Sequence, residues 1–483
     1  MSVIPERNVV IVGAGPSGLA AASELVRFGM PCTLVDDQKR PGGQYFRQLS
    51  PEIQSTGAKT NLLDICDHES VEFQCETTVW DFPAPQTLAY ASRAGNGRLN
   101  ARALILAAGA YDRPIPFKGW TLPGVISAGG LVNLYKSQRV VPGSRVVVAG
   151  NGPLLLPVGQ CLLEAGVEVL AVVEAASFSS RVIRNFPGLL TLPGLLAKGV
   201  GYKIGLWRRS VPVLEQHVVT CAWGDQWVEK IEICPLDDGG KICRKRRIEF
   251  DVDALITGFG LMPSLELTRL AGCSLSFNVS DDTWVPERSA ELETSVPDIY
   301  AVGDGAGVAG YQNAVVEGQI AALAILNKQE PSRRVNTALK AAIRRRTRRQ
   351  RFSQAISNCY RTALDHSALV TPDTVICRWE NVLLSRIRPI LTEAASAPSL
   401  ARLKSETRAG MGRCGGRNCI PTLVRLLSAS TGCQCETITL PRARPPARPI
   451  RIRDLFSEQL PDPDLPADPH TPRAVNSQKK YED

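Results

Sequence analysis

The apolar positions of this chain repeat one arrangement: a short β-branched run, closely spaced glycines, then a helix of small residues. Val9 to Val12 is the first such run; it ends in Gly13-Ala14-Gly15-Pro16-Ser17-Gly18 and continues as a helix to Val26. A second strand, Cys32 to Val35, closes with Asp36, 18 residues after Gly18. The arrangement returns where Arg145 to Ala149 runs into Gly150-Asn151-Gly152-Pro153-Leu154-Leu155, an apolar helix to Ala165, and a strand from Glu168 that ends at Glu174. Between the two, residues 71–80 alternate as one strand with Val79 near its end. Ala103 to Ala108 predicts another strand, stopping at Gly109. Further on, Asp237 to Gly240 predicts a hairpin turn, and Ala254 to Thr257 and Val296 to Asp304 predict strands. A small-residue helix follows over Gln312 to Leu326, and Val335, Leu339 and Ile343 form a helical stripe at i, i+4, i+8. Strands alternating with helices predict parallel sheets covered on both faces.

The turns carry the chemistry. Gly13 permits a tight strand-to-helix turn, Gly15 lets a pyrophosphate approach the backbone, and Gly18 lets the helix pack on the sheet. With Pro16 and Ser17 they aim the first N–H groups of the helix, and its positive dipole end, at phosphates. Asp36, with Asp37 beside it, is placed to accept bonds from an adenosine ribose. The loop Gly42-Gly43-Gln44 can lie along the same ligand, and the small residues Ala108 and Gly109 let backbone touch it. Asp304, at a strand end, can hold a polyol hydroxyl, and the helix after it can stabilise negative charge on a ring. In the second unit Gly150, Gly152 and Glu174 repeat the pattern, but the third glycine is Leu155. Nucleotide binding and a bare scaffold both stay open there; a bound nucleotide would be NAD(P) or another adenine nucleotide. The predicted fold is α/β: two three-layer Rossmann-like dinucleotide-binding domains, the second inserted in the first.

Charge changes this picture little. The net charge is +9, yet ten Lys and Arg with no Asp or Glu lie between Pro331 and Leu364, leaving the rest near neutral. No nucleic-acid-reading motif accompanies them, so a nucleic-acid partner is not expected. The basic helix reads either as a solvated face or as a dock for an acidic partner. No apolar run has the length of a transmembrane helix, and the glycine turn explains the N-terminal apolar stretch better than a signal peptide does. Fourteen scattered cysteines read as reduced thiols, with the cytoplasm the expected compartment.

Gly13 to Gly18, Gly42-Gly43-Gln44, Ala107-Ala108-Gly109 and Tyr300-Ala301-Val302-Gly303-Asp304 together resemble the two-dinucleotide-domain flavoprotein family of pyridine-nucleotide oxidoreductases, over residues 5–328. The resemblance implies FAD: pyrophosphate on the first loop, ribose on Asp36, adenine near the Val79 backbone, the ribityl chain at Gly303 and Asp304, and the flavin pyrimidine edge near Gln312 to Ala314. Two features narrow it. No cysteine pair before residue 360 has the C-x-x-C or C-x-x-x-x-C spacing of a redox disulfide, and no His-Glu dyad closes the fold. The chemistry is left to flavin alone or to a partner.

Cys377-Arg378-Trp379-Glu380, followed by Gly410 to Cys419, resembles a small helical bacterioferritin-associated-ferredoxin-like [2Fe–2S] domain. With it, the resemblance narrows to the FAD subunits of opine oxidase, hydrogen cyanide synthase and dye-linked proline or hydroxyproline dehydrogenase. It implies a subunit working beside an amino-acid-oxidase-like flavoprotein that oxidises a C–N bond of a small molecule such as an amino acid, opine or amine. It also implies Cys377, Cys414 and Cys419 as cluster ligands. Trp379 stands where the fourth thiolate belongs, so the cluster is one ligand short; Cys433 and Cys435 are displaced thiols. A stand-alone NAD(P)H-dependent flavoprotein reductase and a degenerate nucleotide-binding scaffold remain as alternatives. The expected domains are 1–125 with 254–330 for FAD, 126–253 inserted, 331–370 a basic helical linker, 371–440 ferredoxin-like, and 441–483 a Pro/Arg-rich tail disordered at its end.

Overall fold

In a computed structural model, which describes residues 6–47, 62–93, 95–393 and 398–456, β1 (Glu6–Val12) starts the first sheet. α1 (Pro16–Arg27), β2 (Cys32–Val35) and β3 (Val71–Gln74) follow. β4 (Thr78–Ala84), β5 (Thr87–Ser92) and β6 (Gly95–Leu106) form an antiparallel meander. The strand order is β3-β2-β1-β6-β5-β4. Val9, Ile11, Leu34 and Ile105 face one core, and Val10, Val12, Val35 and Leu104 the other. Apolar side chains in adjacent positions are therefore both used, as a sheet buried on two faces requires.

Residues 71–80 are not one strand. Glu76 has φ 47°, and Thr77 N–H donates to the Asp36 carbonyl at 2.9 Å. That bond turns the chain out of the parallel sheet, and β4 restarts in the antiparallel meander. Alternation alone does not register such a break.

β7 (Ala110–Asp112) leads to β8 (Val125–Ser127), α2 (Ala128–Gln138), β9 (Arg145–Gly150), α3 (Leu155–Glu164) and β10 (Glu168–Glu174). Helices α4 (Phe178–Leu189) and α5 (Pro193–Arg208) precede β11 (Val213–Glu215). The antiparallel strands β12 (His217–Trp223), β13 (Lys230–Pro235) and β14 (Ile248–Asp251) form a separate sheet; Leu236 bridges Ile242 across the expected turn. β15 (Ala254–Gly258) then inserts between β9 and β8, completing the all-parallel order β11-β10-β9-β15-β8. The boundary expected at 253/254 is thus corrected: 254–258 belong to the second sheet. A short strand buried on both faces carries no mark of which sheet will take it.

β16 (Leu261–Pro263) pairs with β7 and returns the chain to the first unit. After α6 (Glu266–Leu270) and the hairpin β17 (Leu275–Asn278) and β18 (Thr283–Pro286), β19 (Ile299–Ala301) joins β6. α7 (Tyr311–Gln329) packs on α1, where a Cβ on Gly318 would lie 2.0 Å from the Ser17 carbonyl. α8 (Arg333–Cys359) is capped by Ser332, whose hydroxyl accepts from Val335 N–H at 3.2 Å. Its first half buries Val335, Leu339 and Ala342 against the first core; its second half buries Phe352, Ala355 and Cys359 in a cluster with Leu189 of α4. The helix therefore spans both units.

β20 (Val375–Cys377), β21 (Val382–Leu383), α9 (Leu384–Thr392), α10 (Leu400–Thr407) and α11 (Ile420–Thr431) surround their own core of Ile376, Ile387, Leu403 and Leu423. An Arg417–Glu266 ion pair and a 2.7 Å bond from Trp120 Nε1 to the Val375 carbonyl tie this part to the rest. Of the last 30 residues, expected to be disordered, 454–456 belong to a short helix (Arg453–Phe456) and 457–483 lie outside the described residues. Among the described residues no helix is long and apolar enough to cross a membrane.

Candidate functional site: a flavin cradle

The three glycines of the first turn divide the labour. Gly13 has φ 110°, and a Cβ there would lie 2.3 Å from the Ala107 carbonyl oxygen; on Gly18 it would lie 1.8 Å from the Gly13 oxygen. Those two are glycines because backbone packs against them. Gly15 differs: its φ is −77°, open to any residue, and a Cβ there would meet nothing within 4 Å. The space over Gly15 is room for a ligand. Pro16 opens α1 at the first helical position, and Ser17 is buried behind the turn.

Asp36 closes on this loop. Its Oδ2 accepts from Ala14 N–H at 2.5 Å and its Oδ1 from Gln38 N–H at 2.7 Å, while burial pushes its carboxyl up to about 6. Asp37 is exposed and accepts from Gln38 Nε2 at 2.7 Å. Gly42 N–H donates to the Ala14 carbonyl at 2.8 Å, and a Cβ on Gly43 would come within 2.9 Å of Gly15 Cα, so the second glycine loop lies on the first. Gln44 is exposed beside them, and Val79 is buried on β4, two residues past the Thr77–Asp36 backbone bond.

The remaining expected residues converge from the far end of the unit. A Cβ on Gly303 would lie 2.6 Å from Ser17 Oγ, and one on Gly305 would lie 2.9 Å from Gly109 N, next to Ala108. Gly109 itself, at φ 68°, faces open space. Asp304 is part-buried; its Oδ1 accepts from the N–H groups of Ala309 and Gly310 at 3.0 and 3.2 Å, and desolvation raises its carboxyl above the usual range. Gln312 and buried Ala314 open α7. The cradle fits an FAD: Gly15 and Gly109 leave room where a ligand would touch backbone, and Arg47, near Asp36, holds a buried Nε with no partner.

Sequence reasoning missed the support behind the cradle. Glu317 is 1 % exposed; its Oε2 accepts from Gly303 N–H and Arg288, both at 2.9 Å, and its Oε1 from Arg346 Nε at 2.8 Å. Arg349 donates to Gln312 at 2.5 Å. Tyr45 stacks on Tyr311 with ring centroids 3.7 Å apart. The signal available was the aromatic after Gly43-Gln44 and the phase of the arginines on α8. The choice between a solvated face and a dock was too coarse, since two of those arginines are spent inside the molecule.

The second turn repeats the first with one change. A Cβ on Gly150 would lie 1.9 Å from the Gly258 oxygen, whereas Gly152 opens on free space. Glu174 accepts from Gly152 N–H at 3.1 Å and Ala176 N–H at 3.2 Å. Leu155 is buried, and the strand-end Gly258 makes room for it: a Cβ there would lie 3.0 Å from Leu155 Cδ2. The helix starts at Leu155, whereas α1 starts at Pro16, the counterpart of Pro153. Burial pushes the Glu174 carboxyl up to about 8. The folded state then holds a proton that the unfolded chain has released, so stability falls as pH rises from the ordinary carboxylate range towards 8. In Glu174→Gln, chemical unfolding between pH 5 and 8 should show a flatter stability profile than the parent.

The expected metal set is not assembled. Cys377 and Cys419 are buried together, and the Cys419 thiol, with backbone N–H groups of Gly410, Glu380 and Trp379, holds Cys377 down to about 5. Cys414 does not complete them: among the described residues no three His, Cys, Asp or Glu side chains are grouped to hold a metal ion. Trp379 packs over Gly412, where a Cβ would lie 2.3 Å from Trp379 Cβ, and an indole N–H donates without ligating. The residues present do not fit a four-thiolate cluster. Aerobically purified protein should carry little iron or acid-labile sulfide, and Trp379→Cys should raise both in colorimetric assay. All fourteen cysteines are free thiols.

A strand–glycine–helix turn open at its middle glycine, an acid on that turn and a second such unit define a dinucleotide-binding oxidoreductase of the flavoprotein class. The family described as pyridine nucleotide-disulphide oxidoreductase matches residues 7–318, and the chain belongs to it; FAD is its cofactor. Bound in the cradle, FAD would supply two-electron acceptance. The chain is 31% identical over 494 residues to an opine oxidase subunit of Agrobacterium tumefaciens (strain Ach5), covering 97% of this chain and 93% of that protein. It is 33% identical over 443 residues to hydrogen cyanide synthase subunit HcnB of Pseudomonas aeruginosa, covering 88% and 93%. L-proline dehydrogenase from P. horikoshii shares the fold at a TM-score of 0.66 and 19% identity, over 95% of this chain and 81% of that one.

Proposed function

We propose that this chain is the FAD subunit of a multi-subunit amine, opine or amino-acid dehydrogenase or oxidase. C–N bond oxidation would take place on a partner, an amino-acid-oxidase-like flavoprotein, and electrons would pass through the flavin held here. The observation that carries the reading is similarity over nearly the whole chain to a protein named as an oxidase subunit. The sequence supports it from another side, because no redox cysteine pair stands in the flavoprotein body. We place its work in the cytoplasm.

The test is flavin bleaching under anaerobic conditions. The chain alone should keep its flavin oxidised with NADH and with amines, and an amine should bleach it once the partner subunit is co-purified. Bleaching by NADH alone would instead favour a stand-alone NAD(P)H-dependent reductase. The open Gly152 and the acid Glu174 support that second reading. In it, NAD(H) should bind more tightly than NADP(H), because Glu174 at the strand end can accept from a ribose 2′-hydroxyl that NADP(H) lacks.

A further inference from the structure

Most arginines in the middle of α8, including Arg344, Arg345 and Arg348, are exposed, whereas Arg346 and Arg349 are part-buried against the head of α7. Arg349 Nη1 donates to Gln312 Oε1 at 2.5 Å. A guanidinium can only donate, so this bond decides which end of the Gln312 amide faces it. The amide nitrogen is turned the other way and donates to the Tyr311 hydroxyl oxygen at 3.3 Å. Tyr45 stacks on Tyr311, with ring centroids 3.7 Å and planes 17° apart. A phenol oxygen that accepts the Gln312 bond keeps its single proton free to be given elsewhere.

A donor to the phenol oxygen favours the deprotonated form, and the Tyr311 phenol is accordingly held below its ordinary range, the Gln312 bond leading. The charged groups around it agree in sign. Lys198 of α5 and Arg349 of α8 face Tyr311; Lys136 of α2 lies over the Tyr45 ring, with Tyr202 of α5 nearby. No carboxylate is among them.

We propose that Arg349 is a positioning residue which, through Gln312, makes Tyr311 the proton-exchanging group at the mouth of the flavin site. In the step, the Tyr311 O–H bond breaks and the proton passes to a basic atom of the redox partner docked at this site. The phenolate left behind is held by Gln312 and regains a proton from water. The proposal rests on the placement of the flavin pyrimidine edge near Gln312 to Ala314. Arg349 lies 37 residues from Gln312 and beyond the part of the chain that the family spans.

The test is a pH titration of the full-length protein labelled with carbon-13 at the tyrosine ring Cζ, with flavin content measured on the same sample. Tyr311→Phe assigns the resonance by its loss. Tyr311 should titrate below the other tyrosines; Arg349→Gln should move it back towards them, Arg349→Lys should retain part of the shift, and the exposed control Arg344→Gln should leave it in place. Gln312→Leu interrupts the same chain at its middle and serves if Arg349→Gln does not fold. An unmoved Tyr311 midpoint in both Arg349→Gln and Gln312→Leu overturns the proposal, as does an equal shift in Arg344→Gln, which would make the effect a general field. Protein free of flavin removes the flavin mouth, and the titration then still reports whether Arg349, Gln312 and Tyr311 act as a chain.

Discussion

A Gly15→Val protein is expected to fold as the parent does and to purify without flavin. Gly15 has an extended backbone that valine adopts readily, and a Cβ there touches nothing of the protein within 4 Å. The added methyls would occupy only the room left for the pyrophosphate. FAD affinity should fall by about tenfold or more, ~1.4 kcal/mol at the least, read as flavin released per chain on denaturation. Thermal unfolding of the apoproteins should be nearly the same for variant and parent. A variant that keeps full flavin would show that the ligand does not cross Gly15. Gly18→Val supplies the contrast, because its Cβ would lie 1.8 Å from a backbone oxygen and the fold itself must move.

The second large effect lies behind the cradle. Glu317 is a buried carboxylate between two part-buried arginines, Arg288 and Arg346, whose side chains are 12% and 15% exposed. Glu317→Leu keeps the volume but strands both cations and frees Gly303 N–H, the backbone next to Asp304. Breaking a buried pair by removing one partner costs about 3–5 kcal/mol, so denaturant unfolding should show a loss of that order. Flavin retention should drop as well, since the Gly303–Asp304 loop loses its anchor. A loss below about 1 kcal/mol would mean that water solvates the arginines and that the network does not support the site. Arg288→Met with Glu317→Leu should recover part of the loss, because one stranded charge is gone.

The glycine turn, the acid 18 residues on, the paired-glycine loop and the Gly303-Asp304 strand end were legible one residue at a time. Each is a local requirement: a turn only glycine can make, a backbone a ligand must approach, a carboxylate at a strand end. Such requirements leave their mark within a few positions, and the resemblance drawn from them extends to the family the chain belongs to. The tertiary structure decided what local pattern cannot carry. It placed 254–258 in the second sheet, because a strand apolar on both faces fits either sheet and only its neighbours choose. It broke 71–80 at a single backbone bond from Thr77 to Asp36. It kept Cys414 out of the thiol pair formed by Cys377 and Cys419, a matter of three-dimensional reach. And it turned a run of arginines, alike in sequence, into exposed residues and two inward ones, Arg346 and Arg349, because the phase of α8 against α7 is set by the packing of Val335, Leu339 and Ala342.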